Sequence, residues 1–409
     1  MNNDLNILKA LTLPNGTVIK NRFFKSAMSE AMSTRHHAPN QSFIEAYRQW
    51  ALGGAGIVMT GNVMVDRNAL GEPRNIVIDD ERDLTMLKAW AKAGTVNNTH
   101  LWMQLNHPGK QSPRSLSKTP VAPSAVPLSG KLKKFFNPPR ALTIEEIKNL
   151  VTRFVTTAKI AKKAGFTGIQ IHAAHGYLIS QFLSPYDNQR SDEYGGSLDN
   201  RMRFLVEIYQ GLRDALGTDY PIGIKLNAKD FNQEGLNEDD SLKIVEKLTS
   251  LGIDLIEISG GNYENPMMST GQNDENNVFF LEFAKKLKAV VDVPLVVTGG
   301  FRKLSVMEEA LKSNHTSMIG IARPLALYPD IPNQVIEGTY QTVTTKRLKT
   351  GFKSIDQSFG AIIGNSYYEQ QIHRLGKGKF PRIHQNGWKP LLYTLFTHGP
   401  RSFIKRRAR

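Results

Sequence analysis

Residues 143–177 read TIEEIKNLVTRFVTTAKIAKKAGFTGIQIHAAHGY and contain a helical pattern followed by a strand pattern. Its first part spaces apolar residues three or four apart, which is typical of one face of an α-helix. A short link at 164–167 leads into the apolar run 168–173, which is typical of a strand that is buried on both faces. A helix joined by a short link to a buried strand forms the unit that repeats in α/β proteins with a parallel sheet.

The same unit recurs along the chain. Eight short runs rich in Val, Ile and Leu alternate with helical patterns, which predicts an α/β protein with a (β/α)₈ barrel fold. A doubly wound open sheet is the alternative fold. The predicted strands are 23–27, 56–63, 100–105, 168–173, 221–227, 254–259, 294–298 and 317–321.

The links between these elements differ in length according to their direction. Links from helix to strand are short, whereas links from strand to helix are long, and in a barrel the long set lies at the C-terminal face, where active sites are built. The longest link, 106–142 between the third strand and the third helix, contains seven prolines. We expect it to cover an active site and to carry a small hairpin.

Composition narrows the function classes. The 409 residues include no cysteine, which excludes disulfides, thiolate zinc sites and iron–sulfur clusters held by cysteine. We predict no metal site. No secretory signal or run of about 18 apolar residues is visible, so we expect a cytoplasmic protein.

The positive charge is concentrated at one end. Residues 341–409 hold 14 of the 52 Lys and Arg residues and only two acidic residues, a net of +12 out of a total of +15. We therefore predict a barrel domain at 1–338 and a basic extension at 339–409 that packs partly on the barrel. Because the barrel carries little net charge, we expect no nucleic-acid partner.

A cluster of polar side chains follows the fourth predicted strand. His172 ends the strand, and His175 and Tyr177 lie in the turn that follows. Neutral imidazoles can donate hydrogen bonds to a carbonyl oxygen, and a phenol can deliver a proton. From the residues alone, two structural histidines or two metal ligands are equally open interpretations.

The run 172–203, HAAHGYLISQFLSPYDNQRSDEYGGSLDNRMR, resembles the signature segment of the old yellow enzyme family. The resemblance extends over about 5–330 and implies an FMN-dependent oxidoreductase. Such an enzyme passes hydride from NADH or NADPH through flavin N5 to activated C=C bonds, in a ping-pong cycle. Small electron-poor molecules such as enones, quinones or nitro compounds would be the substrates. Similar segments lie at 21–29, 103–110, 223–227, 297–301 and 320–324.

The resemblance also implies roles for single residues. His172 and His175 would bind the substrate carbonyl and Tyr177 would protonate the carbon. Gln104 would pair with the flavin pyrimidine edge, and Lys225 would place a cation near flavin N1 and O2. Four positions depart from the family pattern, namely Ser29 for Thr or Cys, Lys225 for Arg, Asn106 for an aromatic residue and Ala322 for Gly. The other cofactor residues expected are Ala27, Met28, Ser29, Gly61, Gly299, Gly300, Ala322 and Arg323.

Two other functions remain open at this point. The first is a barrel that binds flavin or a phosphate ligand without turnover. The second is an aldolase-like barrel, which requires a lysine that forms a Schiff base, and Lys225 is the strand lysine available for it.

The basic extension ends in an apolar segment, 387–396, followed by Arg401, Lys405, Arg406, Arg407 and Arg409. Apolar residues beside clustered cations suit peripheral contact with an anionic membrane. The alternative is a helix docked on the barrel with a solvated basic end.

We predict that removing residues 387–409 leaves flavin bound but abolishes salt-sensitive binding to anionic vesicles. Each cation near such a surface contributes about 1 kcal/mol. Co-sedimentation of the full and shortened chains with vesicles at low and high salt measures this. A full-length chain that stays in the supernatant at low salt would leave the docked helix as the interpretation.

Overall fold

In the computed structural model of this protein, eight parallel strands close into a barrel. The structure describes residues 4–265, 278, 280–345 and 347–398. The last barrel strand pairs with the first, and the first pairs with the second, so the sheet has no free edge between them. This closure confirms the predicted barrel and excludes the open doubly wound sheet. The strands, numbered β1 to β8, are Phe23–Lys25, Ile57–Met64, His100–Asn106, Gly168–Ala173, Ile222–Asn227, Leu255–Ser259, Leu295–Thr298 and Met318–Ile321.

Helices on the outside of the barrel connect successive strands. The helix before β4 shows why the predicted links are short: Thr143 and Glu146 form a capping box at its start, and Gly165 ends it with φ 97°. That left-handed residue turns the chain directly into the strand. The helices, numbered α1 to α10, are Gln41–Leu52, Leu84–Gly94, Ile144–Ala164, Leu178–Leu183, Leu198–Leu216, Glu238–Ser250, Leu281–Lys288, Leu304–Lys312, Arg323–Leu327 and Ile331–Glu337.

The interior of the barrel is filled in two chemically different layers. Toward the N-terminal ends of the strands lies an apolar cluster that includes Phe24, Met59 and Trp102. Trp102 fits there because its indole lies against two glycines, Gly168 and Gly223, at which a Cβ would meet the ring. Toward the C-terminal ends the side chains become polar, and this polar layer forms the floor of the barrel mouth.

The long link after β3 covers that mouth. Leu128, Leu132 and Phe136 from this link form a buried cluster with Tyr177 and Tyr263. The expected hairpin is wrong: the two-residue strands Val121–Ala122 and Arg140–Ala141 pair in parallel. Prolines lie between these strands and have no N–H groups, so the intervening chain lacks donors that an antiparallel ladder needs.

Two further helices, α11 at Lys353–Leu375 and α12 at Trp388–His398, belong to the C-terminal extension. Helix α11 packs on α1 and α9, and α12 packs on α11. Thr394 of α12 bonds to Ser366, and Tyr393 bonds to His373. Within the described ranges, no helix is long and apolar enough to cross a membrane. The predicted cationic cluster, Arg401, Lys405, Arg406, Arg407 and Arg409, lies outside the residues that the structure describes.

Because α12 packs on α11, the vesicle-binding test needs a second truncated chain. Removing residues 387–409 would also take α12 away from α11. A chain ending at His398 keeps the described helix and removes the cationic residues beyond it, so it separates the charge from the packing.

We predict that Gly168→Ala destabilises the barrel by about 1–3 kcal/mol, because overpacking a filled core forces neighbours to shift. The added Cβ would lie 2.5 Å from the indole of the buried Trp102. Gly364→Ala in α11 is the control, since no atom lies within 4 Å of its added Cβ. Urea unfolding midpoints measure both. Equal midpoints for Gly168→Ala and the native chain would contradict the argument.

Candidate active site

His172, His175 and Tyr177 lie together at the mouth of the barrel. The ring centroids of His172 and His175 are 5.0 Å apart, and those of His172 and Tyr177 are 4.9 Å apart. His172 lies level with Lys225 on the neighbouring strand β5. The structure thus brings together the three residues that the sequence analysis named as catalytic.

The environment of His172 fixes its protonation. Its Nδ1 accepts a hydrogen bond from the backbone N–H of Ala174 at 3.3 Å, which leaves the proton of a neutral ring on Nε2. Burial, and then the positive charge of Lys225, hold the pKa of His172 well below its ordinary value. His172 is therefore a neutral hydrogen-bond donor near pH 7.

His175 is held by groups from the next two strands. Its backbone is left-handed, with φ 62°, and its N–H donates to Asn227 Oδ1 at 3.1 Å. Its Nε2 lies 2.6 Å from Ser259 Oγ. Asn227 in turn donates to Asp230 at 2.8 Å, and burial raises the pKa of Asp230 to about 6. These partners were not found from the sequence, where the one available signal was that β5 and β6 each end in a polar residue, Asn227 and Ser259.

Tyr177 is buried, and its hydroxyl contacts Tyr263 and Asn62. Tyr263 Oη lies 3.2 Å from Tyr177 Oη, and Asn62 Nδ2 donates to it from 3.4 Å. Neither neighbour was found from the sequence. Together they hold the phenol beside His172, where it can deliver a proton.

The floor of the mouth is a row of hydrogen-bonded amides and charges. Gln104 Nε2 donates to Gln170 Oε1 at 2.7 Å, and Gln170 Nε2 donates to Glu257 Oε2 at 2.9 Å. Among the residues that the structure describes, buried Gln104 Oε1 has no hydrogen-bond partner. An unpaired buried acceptor is costly unless a ligand donates to it, and the N–H of a flavin pyrimidine is such a donor.

Lys225 lies in the same layer and is paired within the barrel. Its Nζ is 2.9 Å from Glu257 Oε1, and Thr298 Oγ1 donates to the same oxygen at 2.7 Å. Glu257 is fully buried and was not found from the sequence. An amine bound in this way is not free for attack on a carbonyl, which argues against the aldolase-like alternative.

The segment after β1 contains the expected residues Ala27, Met28 and Ser29, all partly exposed. The Ser29 hydroxyl lies within hydrogen-bond distance of two carboxylates, Glu72 and Glu369 of helix α11, the latter at 3.1 Å, and its one hydrogen can be donated to either. Gly61 on β2 allows β2 to approach this segment, since an added Cβ would lie 2.5 Å from the Met28 carbonyl.

The backbone N–H of Gly61 is itself hydrogen-bonded within the protein. It donates to Glu30 Oε1 at 3.1 Å, and it also bonds to Tyr47. Because this N–H is already engaged, Gly61 supports the site through the space that it leaves and not through a hydrogen bond of its own.

The loops after β7 and β8 form a cationic site. Gly299 and Gly300 have φ of 107° and 89°, and Ala322 and Arg323 begin helix α9. Arg302 lies close to Arg323, and burial, followed by the Arg323 charge, lowers the pKa of Arg302 to about 10. In the part of the chain that the structure describes, no salt bridge involves either guanidinium. Two cations without a carboxylate partner suit a phosphate group.

These features fit FMN. The unpaired Gln104 oxygen suits the ring, and the arginine pair with the open glycine turn suits the phosphate. Arg302 was not among the residues expected from the sequence. The only local signal was an arginine two residues after the Gly299–Gly300 turn.

Comparisons with known proteins give the same result. Residues 6–342 match the model of the NADH:flavin oxidoreductase / NADH oxidase family. An NADH-dependent flavin oxidoreductase of Hypocrea jecorina is 37% identical over 353 residues, covering 80% of this chain and 88% of that protein. An old yellow enzyme homologue of Zymomonas mobilis has a similar structure, with a TM-score of 0.72, 26% identity and coverage of 83% of this chain and 95% of the other.

Another relative, less similar in sequence, has a name that states a substrate. A cinnamate reductase of Clostridium sporogenes is 32% identical over 350 residues, or 80% of this chain. This chain spans about half the length of some of the relatives that it matches, including 52% of the cinnamate reductase.

We predict that Arg302→Ala weakens FMN binding about tenfold or more, because a hydrogen bond to a charged group contributes about 1.5–3 kcal/mol. Fluorescence titration of the flavin-free protein measures this. Riboflavin, which lacks the phosphate, should bind the variant and the native protein alike. Arg82→Ala, which removes an exposed partner of Asp80, is the control variant. If FMN and riboflavin weaken equally, Arg302 supports the fold and not the phosphate.

Proposed function

Because this chain belongs to the NADH:flavin oxidoreductase / NADH oxidase family, we propose that it binds FMN at the barrel mouth and uses NADH or NADPH to reduce activated C=C bonds. Membership of the family also confirms the resemblance noted in the sequence. The observation that carries the proposal is the contact between a neutral histidine donor, His172, and a buried phenol, Tyr177.

Bound FMN would supply the two-electron exchange between the nicotinamide and the substrate. Gln104 and Lys225 would hold its ring, and Gly299, Arg302 and Arg323 would hold its phosphate. These five residues lie near the C-terminal ends of strands or in the loops that follow them. Active sites of this fold lie at that face of the barrel.

His172 and His175 would bind the carbonyl oxygen of the substrate. Hydride addition to the β-carbon places negative charge on that oxygen, and the Nε2–H of His172 is a donor available to stabilise it. The loss of one such donor typically costs about 10²–10³-fold in rate. Because His172 is neutral, its hydrogen bond does not depend on protonation near pH 7.

Tyr177 would donate a proton to the α-carbon. Its hydroxyl contacts the hydroxyl of Tyr263, so a proton can reach Tyr177 along that contact after each turnover. A barrel that only stored flavin would need neither this phenol nor the adjacent neutral imidazole.

The substrate class follows from the same groups. An oxyanion-binding imidazole and a proton donor suit a C=C bond conjugated to a carbonyl, and the name of the cinnamate reductase relative supports this class. Quinones and nitroalkenes also place charge on oxygen. Since the long link after β3 closes one side of the mouth, nicotinamide and substrate would use the same opening in turn, in a ping-pong cycle.

We predict that Tyr177→Phe leaves reduction of the flavin by NADH unchanged and slows its reoxidation by 2-cyclohexenone about 10²–10⁴-fold, because only the second step needs a proton on carbon. Anaerobic stopped-flow absorbance separates the two steps. Tyr194→Phe is the control, since Tyr194 is equally buried but bonds to Glu207 away from the mouth. Equal slowing of both steps in Tyr177→Phe would exclude the proposed role.

A further inference from the structure

Glu257 is a fully buried carboxylate at the centre of the polar layer. It lies on β6, level with Lys225 on β5, which is itself level with His172 on β4. A buried carboxylate is costly unless it is paired and hydrogen-bonded, and Glu257 has three partners. These are Lys225 at 2.9 Å, Gln170 at 2.9 Å and Thr298 at 2.7 Å.

The ion pair with Glu257 reduces the positive charge that Lys225 presents to a ligand. Lys225 was expected to present a positive charge to the flavin, yet its ammonium is bound directly to Glu257. The pair is neutral as a whole. The mouth of the barrel therefore experiences much less positive charge than an unpaired lysine would supply.

Glu257 also sets the direction of the hydrogen bonds that run through Gln170 to Gln104. An ionised carboxylate only accepts, so Gln170 must turn its NH₂ group toward Glu257 and its oxygen toward Gln104. Gln104 must then donate through Nε2 to Gln170, which leaves its Oε1 as a free acceptor. Glu257 thus decides, through Gln170, which end of the Gln104 amide is offered to a ligand.

We propose that Glu257 is a positioning residue that sets the charge and the hydrogen-bond polarity of the flavin-binding edge. It neutralises Lys225 and orients Gln104 as an acceptor for the flavin N–H. The inference rests on the proposed function, since it requires FMN over Gln104 and Lys225. In this proposal Glu257 acts through Lys225 and Gln170, to which it is bonded.

The charge effect is tested with the FMN-loaded enzyme by sulfite titration. Sulfite adds to flavin N5 and leaves negative charge on the ring, so its affinity reports the charge near the pyrimidine. Glu257→Gln leaves Lys225 uncompensated, and we expect sulfite to bind about tenfold or more tightly and the flavin reduction potential to rise. Lys225→Met removes the cation bonded to the Glu257 carboxylate and leaves only Lys25 to interact with its charge, and sulfite should bind about tenfold or more weakly.

The double variant Lys225→Met with Glu257→Gln is neutral again, so its sulfite affinity should return toward the native value. Asp254→Asn is the matched control. Asp254 lies next to the start of β6, is also buried, and pairs with Arg213 at 2.8 Å, far from the mouth. Asp254→Asn should leave sulfite affinity unchanged.

The hydrogen-bond effect is tested separately by Gln170→Met. This variant keeps the Lys225–Glu257 pair but breaks the path to Gln104, so FMN should bind more weakly while sulfite affinity stays within about threefold of native. Unchanged FMN affinity would overturn this half of the proposal.

Several outcomes decide the inference. Native sulfite affinity in Glu257→Gln, or the same shift in Asp254→Asn, would overturn it. If Glu257→Gln does not retain flavin, Lys225→Met carries the test, and unchanged sulfite affinity in that variant overturns the charge effect. Failure of the proposed function is distinct, because the native protein would then hold no FMN.

Discussion

The arrangement of the barrel mouth depends on the ion pair between Glu257 and Lys225 on neighbouring strands. Through its three partners, the Glu257 carboxylate connects β4, β5, β6 and β7. Below this layer the barrel is filled by apolar side chains around Trp102, and above it the chain is free to build a site. A packed lower layer gives the upper layer fixed positions, which a network of buried polar groups needs in order to be fully hydrogen-bonded.

The residues proposed to perform chemistry are also held in place by polar groups from neighbouring strands and loops. His175 is fixed in a left-handed conformation by Asn227 and Ser259 from the ends of β5 and β6. The phenol of Tyr177 meets that of Tyr263 beneath the link after β3. Each group is therefore positioned by at least one contact from another strand or loop, which limits the rearrangement needed when a substrate binds.

The C-terminal extension contacts the segment after β1, in which Ser29 lies. Helix α11 brings Glu369 to the Ser29 hydroxyl and His373 to the backbone carbonyl of Glu30. Ser29 is the position where relatives would offer a hydroxyl or thiol to the flavin, and here its hydrogen bonds go to carboxylates. The extension thus acts on the segment after β1, and α12 supports it through His373.

Local sequence features were enough to predict the barrel and the grouping of His172, His175 and Tyr177. Apolar runs of strand length, short links and a capped helix are local features, and three residues in one six-residue stretch must lie near each other. Glu257, Arg302, Tyr263 and Glu369 became candidates for the site only once the fold was known. Their partners are far away in sequence, so their roles depend on strand register and on how loops and α11 pack, which no local pattern encodes. The link after β3 failed as a predicted hairpin because its two short strands pair in parallel, with prolines that lack N–H donors between them.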